Sequence, residues 1–369
     1  MAGGTTSAEM FELLAVLHLH SDWSLRGDAK PQVGQAISQL QRMSKPEWSE
    51  FLHFAELQRV YLRTLRLLEK WAAVGAFTAP FDDLHDLEQR EHRKVEDALA
   101  TLNSVVRALE LTGHTPLVIK TLDHWPDIGS DLDLFIGASE NDTVRAMRSE
   151  LQAEPQQQSW GDRLAHKWNF QIPGQERLVE IHVGCLGQTG EQDELPALLE
   201  ESSVVRDVGP FHFRVPSPEE QVTLATLQRM YRHFYIRFTD LLNLTALVRA
   251  RRLDFTKLRA STERWAIWPG VATLLKITSD YNARLGDGTL YLPDFVLGAA
   301  RFGAEKTYVG KHFLRVPMLP QGSQLFLQQL IGTGTARRFR AAARLSLLPA
   351  LAVAAFLNLK FTGDDKGIW

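Results

Sequence analysis

The chain has 369 residues, enough for two or three domains at about 150 residues each, and its 44% hydrophobic and 23% charged content excludes global disorder. Lys and Arg number 41 against 44 Asp and Glu, a net charge of −3 that argues against a coat for nucleic acid but leaves room for a local basic pocket. The single cysteine, Cys185, excludes an internal disulfide and a cysteine-based zinc site, and a reducing, cytoplasmic setting is expected.

The segment Met1 to His20 lacks a basic n-region and carries Glu9 and Glu12 in its apolar stretch, so it does not read as a secretory signal. Glu9 to Leu19 is apolar at helical spacing. Pro46 to Leu68 predicts one longer helical stretch, with Trp48, Leu52, Ala55, Val60, Leu65 and Leu68 on its apolar positions. His18 and His20 point about 200° apart on a helix, which disfavours a shared metal. Asp82 to Lys94 mixes charge signs as a solvated helical face does. Val95, Leu99, Leu102, Val106 and Leu109 continue the helical pattern until Gly113.

Leu117 to Ile119 is a short strand-type run, and Asp123 to Ser130 is a loop. Asp131 to Leu134 alternates acid and apolar residues, the periodicity of a strand, and the apolar run continues to Ile136. Ser139, with Asp142 three residues on, opens a helix to about Ala153. His166 to Ile172 and Arg177 to Val183 flank Pro173-Gly174 and predict a hairpin. Phe211 to Val215 is another strand, and Ser217-Pro218-Glu219-Glu220 predicts a capping box. The helix it opens is expected to be long, carrying Leu224, Leu227, Tyr231, Tyr235 and Phe238, with His233, Arg237 and Asp240 on it. The remainder reads as mostly helical.

On a strand, Asp131 and Asp133 share one face while Leu132 and Leu134 point into the core. Paired carboxylates repel unless cations compensate them, and Mg²⁺ favours carboxylates together with substrate phosphates. Such a pair suits a two-metal clamp on a phosphoryl displacement. Glu180, between Val179 and Ile181, is the candidate third acid, and His182 shares its face. His182 reads equally as a structural histidine and as a substrate contact. Lys167, on the first hairpin strand, is a weaker phosphate candidate. Cys185 has no base nearby in sequence and reads as an inert thiol.

An Asp-x-Asp strand followed by an acid on a second strand resembles the nucleotidyltransferase superfamily of DNA polymerase β type. The closer resemblance, over roughly residues 10 to 250, is to a bacterial uncharacterised nucleotidyltransferase family. Its elements stand here as Glu47-Trp48 with Phe54-Ala55, Lys120-Thr121, Asp131-Leu132-Asp133, Glu180-Ile181-His182, Pro216-Ser217-Pro218-Glu219, and His233, Arg237 and Asp240. In the superfamily a Gly-Ser or Gly-Gly pair upstream of the first Asp holds the triphosphate. Here Gly129-Ser130 abuts Asp131, and Lys120-Thr121 occupies the spaced position instead. The missing glycine departs from the pattern at the point where backbone must approach phosphate.

The resemblance implies an α+β protein: a nucleotidyltransferase-fold mixed sheet over 93–216, between helical regions at 1–92 and 217–369. It implies Asp131, Asp133 and Glu180 as catalytic acids and ligands of Mg²⁺ or Mn²⁺, with Lys120, Thr121, Ser130, His182 and Arg237 contacting the nucleotide. Arg237 and Asp240 could instead pair with each other. The implied reaction moves a nucleotidyl group from an NTP, with ATP expected, to an acceptor and releases pyrophosphate. A γ-phosphoryl transfer kinase and a non-catalytic nucleotide-binding protein are the alternatives. A small molecule or a protein side chain is favoured as acceptor, with tRNA open through Arg249, Arg251 and Arg252. Arg337, Arg338, Arg340 and Arg344 precede an apolar run, Leu345 to Leu359, that Pro349 interrupts and that is shorter than the roughly 20 residues of a spanning helix. A buried terminal helix with an exposed basic end is favoured there over contact with a membrane surface.

Overall fold

Thr6 starts the first helix, α1 (Ser7–Leu19): its hydroxyl accepts the Glu9 N–H at 3.3 Å, and the Glu9 carboxylate takes the Thr6 N–H at 2.7 Å. The computed structural model describes residues 6–20, 31–81, 83–192 and 194–362, with side chains described through residue 351. The first five residues of the N-terminal apolar segment, Asp82 of the charge-rich segment, and the apolar side chains beyond Leu351 lie outside the described residues. In α2 (Pro31–Arg42), Val33, Ala36, Ile37 and Leu40 form the buried face. The single stretch expected over Pro46 to Leu68 is two helices, α3 (Lys45–Leu57) and α4 (Tyr61–Ala73). Arg59 stands between them at φ +57°, a left-handed conformation that ends α3. Apolar periodicity crosses the break because both helices feed the same core. α5 (Leu84–Glu110) carries the charge-rich segment and the Val95 to Leu109 pattern as one helix, opened by the Asp83 carboxylate.

The sheet follows. β1 (Leu117–Val118) leads through a loop to β2 (Asp131–Ile136), and α6 (Glu140–Leu151) starts on Ser139, whose hydroxyl accepts the Asp142 N–H at 3.1 Å. Next come β3 (Glu154–Pro155), α7 (Trp160–Leu164), β4 (Lys167–Gln171) and β5 (Leu178–Val183). The strand order is β1-β2-β5-β4-β3, with β2 and β5 parallel and the other pairs antiparallel. β4 and β5 form the expected hairpin, turned by Gly174 at φ +77°. Leu132, Leu134, Ile136, Val179, Ile181 and Val183 join the α5 residues in one core. The opposite face of the same two strands carries Asp131, Asp133, Glu180 and His182.

α8 (Leu195–Ser202) covers that second face beyond the acids, packing Leu195 and Leu199 with Leu117 and Phe135. β6 (Val204–Val208), which the sequence pattern does not single out, pairs with β7 (Phe211–Val215) as a separate ribbon. α9 (Pro218–Thr226) begins at Pro218 as expected, but the Ser217 hydroxyl bonds the Glu219 carboxylate at 3.2 Å instead of completing a box with Glu220. The expected long helix is broken. A π-helical turn over Leu227–Arg232 leads to β8 (Tyr235–Ile236) and then to α10 (Phe238–Arg249). His233, Arg237 and Asp240 therefore do not share one helix. α11 (Phe255–Glu263), α12 (Trp268–Leu285) and α13 (Asp294–Ala299) follow, then β9 (Tyr308–Gly310) and β10 (Phe313–Arg315), which join β8 in the order β8-β10-β9.

α14 (Ser323–Thr335) and α15 (Phe339–Thr362) complete the described chain, and Pro349 lies within α15 without ending it. Arg344 binds the Gly190 carbonyl at 2.6 Å and Arg338 the Arg264 carbonyl at 3.2 Å. Among the described residues no helix is long and apolar enough to cross a membrane. One core unites the helices before the sheet with those after it: Phe11, Leu14, Phe51 and Leu65 pack with Phe238, Leu241, Val271 and Leu275. The result is an α+β protein, a mixed sheet between helical flanks.

Candidate functional site

The parallel register of β2 and β5 sets Asp133 directly opposite Glu180. A cavity of about 250 Å³ opens over them. Asp131, Asp133 and Glu180 lie on its wall, faced by Arg59, Lys120, Lys167, Arg229, Arg232 and Arg237. Six cations against three carboxylates give the cavity a net attraction for an anion. Thr121, Ser130, His124, His233 and Tyr235 complete much of the remainder.

Lys120 occupies the centre of the acid cluster. Its Nζ lies 2.7 Å from Asp133 Oδ1 and 3.6 Å from Glu180 Oε1. Its backbone is left-handed at φ +65°, which strains a residue with a Cβ. The next residue, Thr121, is buried, and its hydroxyl accepts the Asp133 N–H at 2.7 Å. That hydroxyl is committed to the acidic strand, where the family pattern implies a triphosphate contact. Lys167 bridges Glu180 and Asp162, at 3.0 Å from each. His182 lies behind the acids, buried, with Nε2 3.1 Å from Glu180 Oε1. Of the residues implied as acids or nucleotide contacts, all but His182 line the acid-lined cavity. His182 borders the two cavities beside it, and Asp240, Arg249, Arg251 and Arg252 line none of the acid-lined wall.

The electrostatics follow from burial and these partners. Burial pushes Asp133 up to about 7, against the pull of Lys120 and with a further push from Glu180. Burial would also raise Glu180, but Lys120, the His182 hydrogen bond and Lys167 together hold it well below the usual range. Asp131 is raised by burial and by the nearby Glu180 charge, and it accepts the Ser130 hydroxyl at 3.3 Å. Burial keeps His182 neutral, pushed down to about 4, and does the same to His124 at about 3.

The arginines divide into two groups. Arg229 and Asp240 form a buried ion pair, with Nε 2.7 Å from Oδ2 and one hydrogen bond, from Nη2 to Oδ1 at 3.1 Å. Asp240 also takes the backbone N–H of Arg237 at 2.7 Å. The suggested Arg237–Asp240 pairing is therefore made by the Arg237 main chain, while the side-chain pair is with Arg229. The Arg237 guanidinium lies 5.7 Å from the centre of the Tyr235 ring, and its Nε is buried without a hydrogen-bond partner. Arg232 Nε is in the same condition. Burial and the Arg229 charge lower Arg237, a strain that a bound anion would relieve.

Arg59, Arg229 and Arg232 escape the sequence pattern. Arg59 reaches the cavity through the α3–α4 break and bonds the Ser130 hydroxyl at 3.2 Å. Arg229 and Arg232 are brought in by the π-helical turn, a feature that often marks functional sites. No residue pattern marks Arg59, because the apolar spacing runs on through the α3–α4 break. Cys185 is pushed up to about 11 by burial, as an inert thiol should be. His18 bonds Thr64 and His20 bonds Asp287, on separate elements.

One donor atom from each of Asp133, Glu180 and His182 lies within 4.8 Å of the others. Two carboxylates and an imidazole at that spacing fit one divalent cation. Asp131 stands outside this triad. No family model, curated protein or solved structure matches the chain.

Proposed function

We propose that this protein is a Mg²⁺-dependent nucleotidyltransferase that uses an NTP, with ATP expected, and releases pyrophosphate. The observation that carries this reading is the cavity itself: three acids on adjacent parallel strands, faced by six cations. Triphosphate recognition needs positive charge, and phosphoryl-type chemistry needs positioning more than covalent participation. Arg59, Arg232 and Arg237 would hold phosphate oxygens, and the buried Nε groups of the last two would gain acceptors. Asp133 and Glu180 would hold Mg²⁺, His182 would orient Glu180 through its Nε2–H, and Asp131 would complete the acidic wall. Bound Mg²⁺ would neutralise triphosphate charge. The acceptor's oxygen or nitrogen forms a bond to the α-phosphorus, the bond to the bridging oxygen breaks, and pyrophosphate leaves with that electron pair. The acceptor's proton would pass to the Glu180 carboxylate beside the metal, or to water.

The Lys120 contact favours a second reading. Its ammonium already supplies a positive charge between Asp133 and Glu180, as a nucleotide-binding protein without turnover would need. Calorimetric titration of a non-hydrolysable ATP analogue with Mg²⁺, on wild type and Asp133→Asn, separates the two. Mg²⁺-dependent binding that the variant loses supports the transferase. Equal binding with and without Mg²⁺, unaffected by Asp133→Asn, supports the second reading. Label at the α or the γ position of ATP then tells nucleotidyl from phosphoryl transfer.

A further inference from the structure

Beside the acid-lined cavity lies a second one, of about 280 Å³, between α7, the π-helical turn, α14 and α15. Its character is opposite. Trp160, Tyr231, Phe234, Phe326 and Leu348 are among the residues of its apolar wall. The two cavities share Lys167 and Arg232 as a common border. Trp160 and Leu319, 45% and 78% exposed, stand at its solvent side. An apolar cavity of about 150 Å³ already admits benzene, so this one has room for a bicyclic or branched body. Ligand sites of this type are mostly apolar with a few fixed polar groups.

Three of its polar groups, Lys167, Arg232 and His182, adjoin the acids, the first two by lining both cavities and His182 by its bond to Glu180. His182 is 4% exposed, borders this cavity, and bonds Glu180 through Nε2. A ring nitrogen facing a carboxylate carries the proton, which leaves Nδ1 with a free lone pair. Nδ1 is buried and has no hydrogen-bond partner. A hydroxyl or amine would satisfy it.

We propose that this cavity holds the acceptor, a small molecule with an apolar body and a hydroxyl or amine at its inner end, bonded to His182 Nδ1 next to Glu180. This rests on the transferase reading of the neighbouring site. It narrows the acceptor class: a polynucleotide or a strongly charged metabolite does not match an apolar wall of this size, whereas the shared Lys167–Arg232 border puts a nucleophile from this side beside the phosphate cavity.

The test uses the full chain and 2-naphthol, an apolar bicycle with one hydroxyl, followed by its own fluorescence. Wild type, Leu348→Arg and Ser323→Phe are compared, because both positions border this cavity, are half-buried and do not line the acid-lined one. Binding of the ATP analogue with Mg²⁺ is measured on the same samples. The expected result is saturable naphthol binding that weakens at least about tenfold in both variants while nucleotide binding is unchanged. No saturable binding to wild type, or binding that neither variant weakens, overturns the proposal. Capture of an apolar peptide without naphthol binding also overturns it, making the cavity a protein anchor. Naphthol binding that responds to both variants, with no nucleotide binding at all, supports the cavity as a ligand site and removes the transferase reading alone.

Discussion

At Lys120 one side chain performs two tasks that compete. It neutralises Asp133 and Glu180, and it lies where a divalent ligand set converges. Removing a partner from a mostly buried ion pair leaves the other charge uncompensated. Lys120→Met should therefore lower stability by roughly 1–3 kcal/mol without divalent cation, a moderate loss because Lys167 and His182 still face Glu180. Added Mn²⁺ should restore more of the melting temperature in the variant than it adds to wild type. An equal Mn²⁺ response in the two proteins would show that lysine and metal do not share a place. The acids themselves are legible in the residue pattern, because strict alternation of acid and apolar residues admits one geometry on a half-buried strand. Lys120's contact with them is not legible there: it depends on a left-handed residue, and no periodicity announces one.

Among the elements, regular spacing reads well and breaks read poorly. β2, the β4–β5 hairpin and the start of α6 follow from local patterns that no distant contact overrides. The α3–α4 break and the π-helical turn leave apolar spacing intact on both sides, so neither marks the sequence. Both breaks bring arginines into the cavity. The π-helical turn is held from outside by α12. A Cβ added at Gly270 would lie 2.5 Å from the Tyr231 ring, closer than any side chain tolerates. Alanine gains up to about 1 kcal/mol over glycine within a helix, but overpacking of this kind costs about 1–3 kcal/mol. Gly270→Ala should thus lower the melting temperature and weaken naphthol binding, because Tyr231 must move and it walls that cavity. A variant as stable as wild type with unchanged naphthol affinity would show that the turn yields without consequence.

Across the whole molecule, the regions that read as separate segments at 1–92 and 217–369 share one core, and the sheet unit is set against it. Sequence order hides this, because apolar residues show that a face is buried and not which distant face meets it. Asp127 sits at the joint. It belongs to the loop before β2, accepts the Leu62 N–H of α4 at 2.6 Å and faces Arg63 at 3.4 Å. Burial outweighs these partners and pushes it up to about 7 from an ordinary 3.8. An acid whose folded value lies above its unfolded one keeps its proton longer in the folded state. Its contribution is complete below about pH 4 and is lost as pH rises to about 7, where the folded carboxyl ionises. The melting temperature should accordingly fall across that window by an amount on the order of a few °C from this group. Asp127→Asn keeps an acceptor for Leu62 and cannot ionise, so it should flatten the profile between about pH 4 and 7. An identical slope in wild type and variant would mean that the joint between helices and sheet is indifferent to this charge, and that the Arg63 contact compensates it fully.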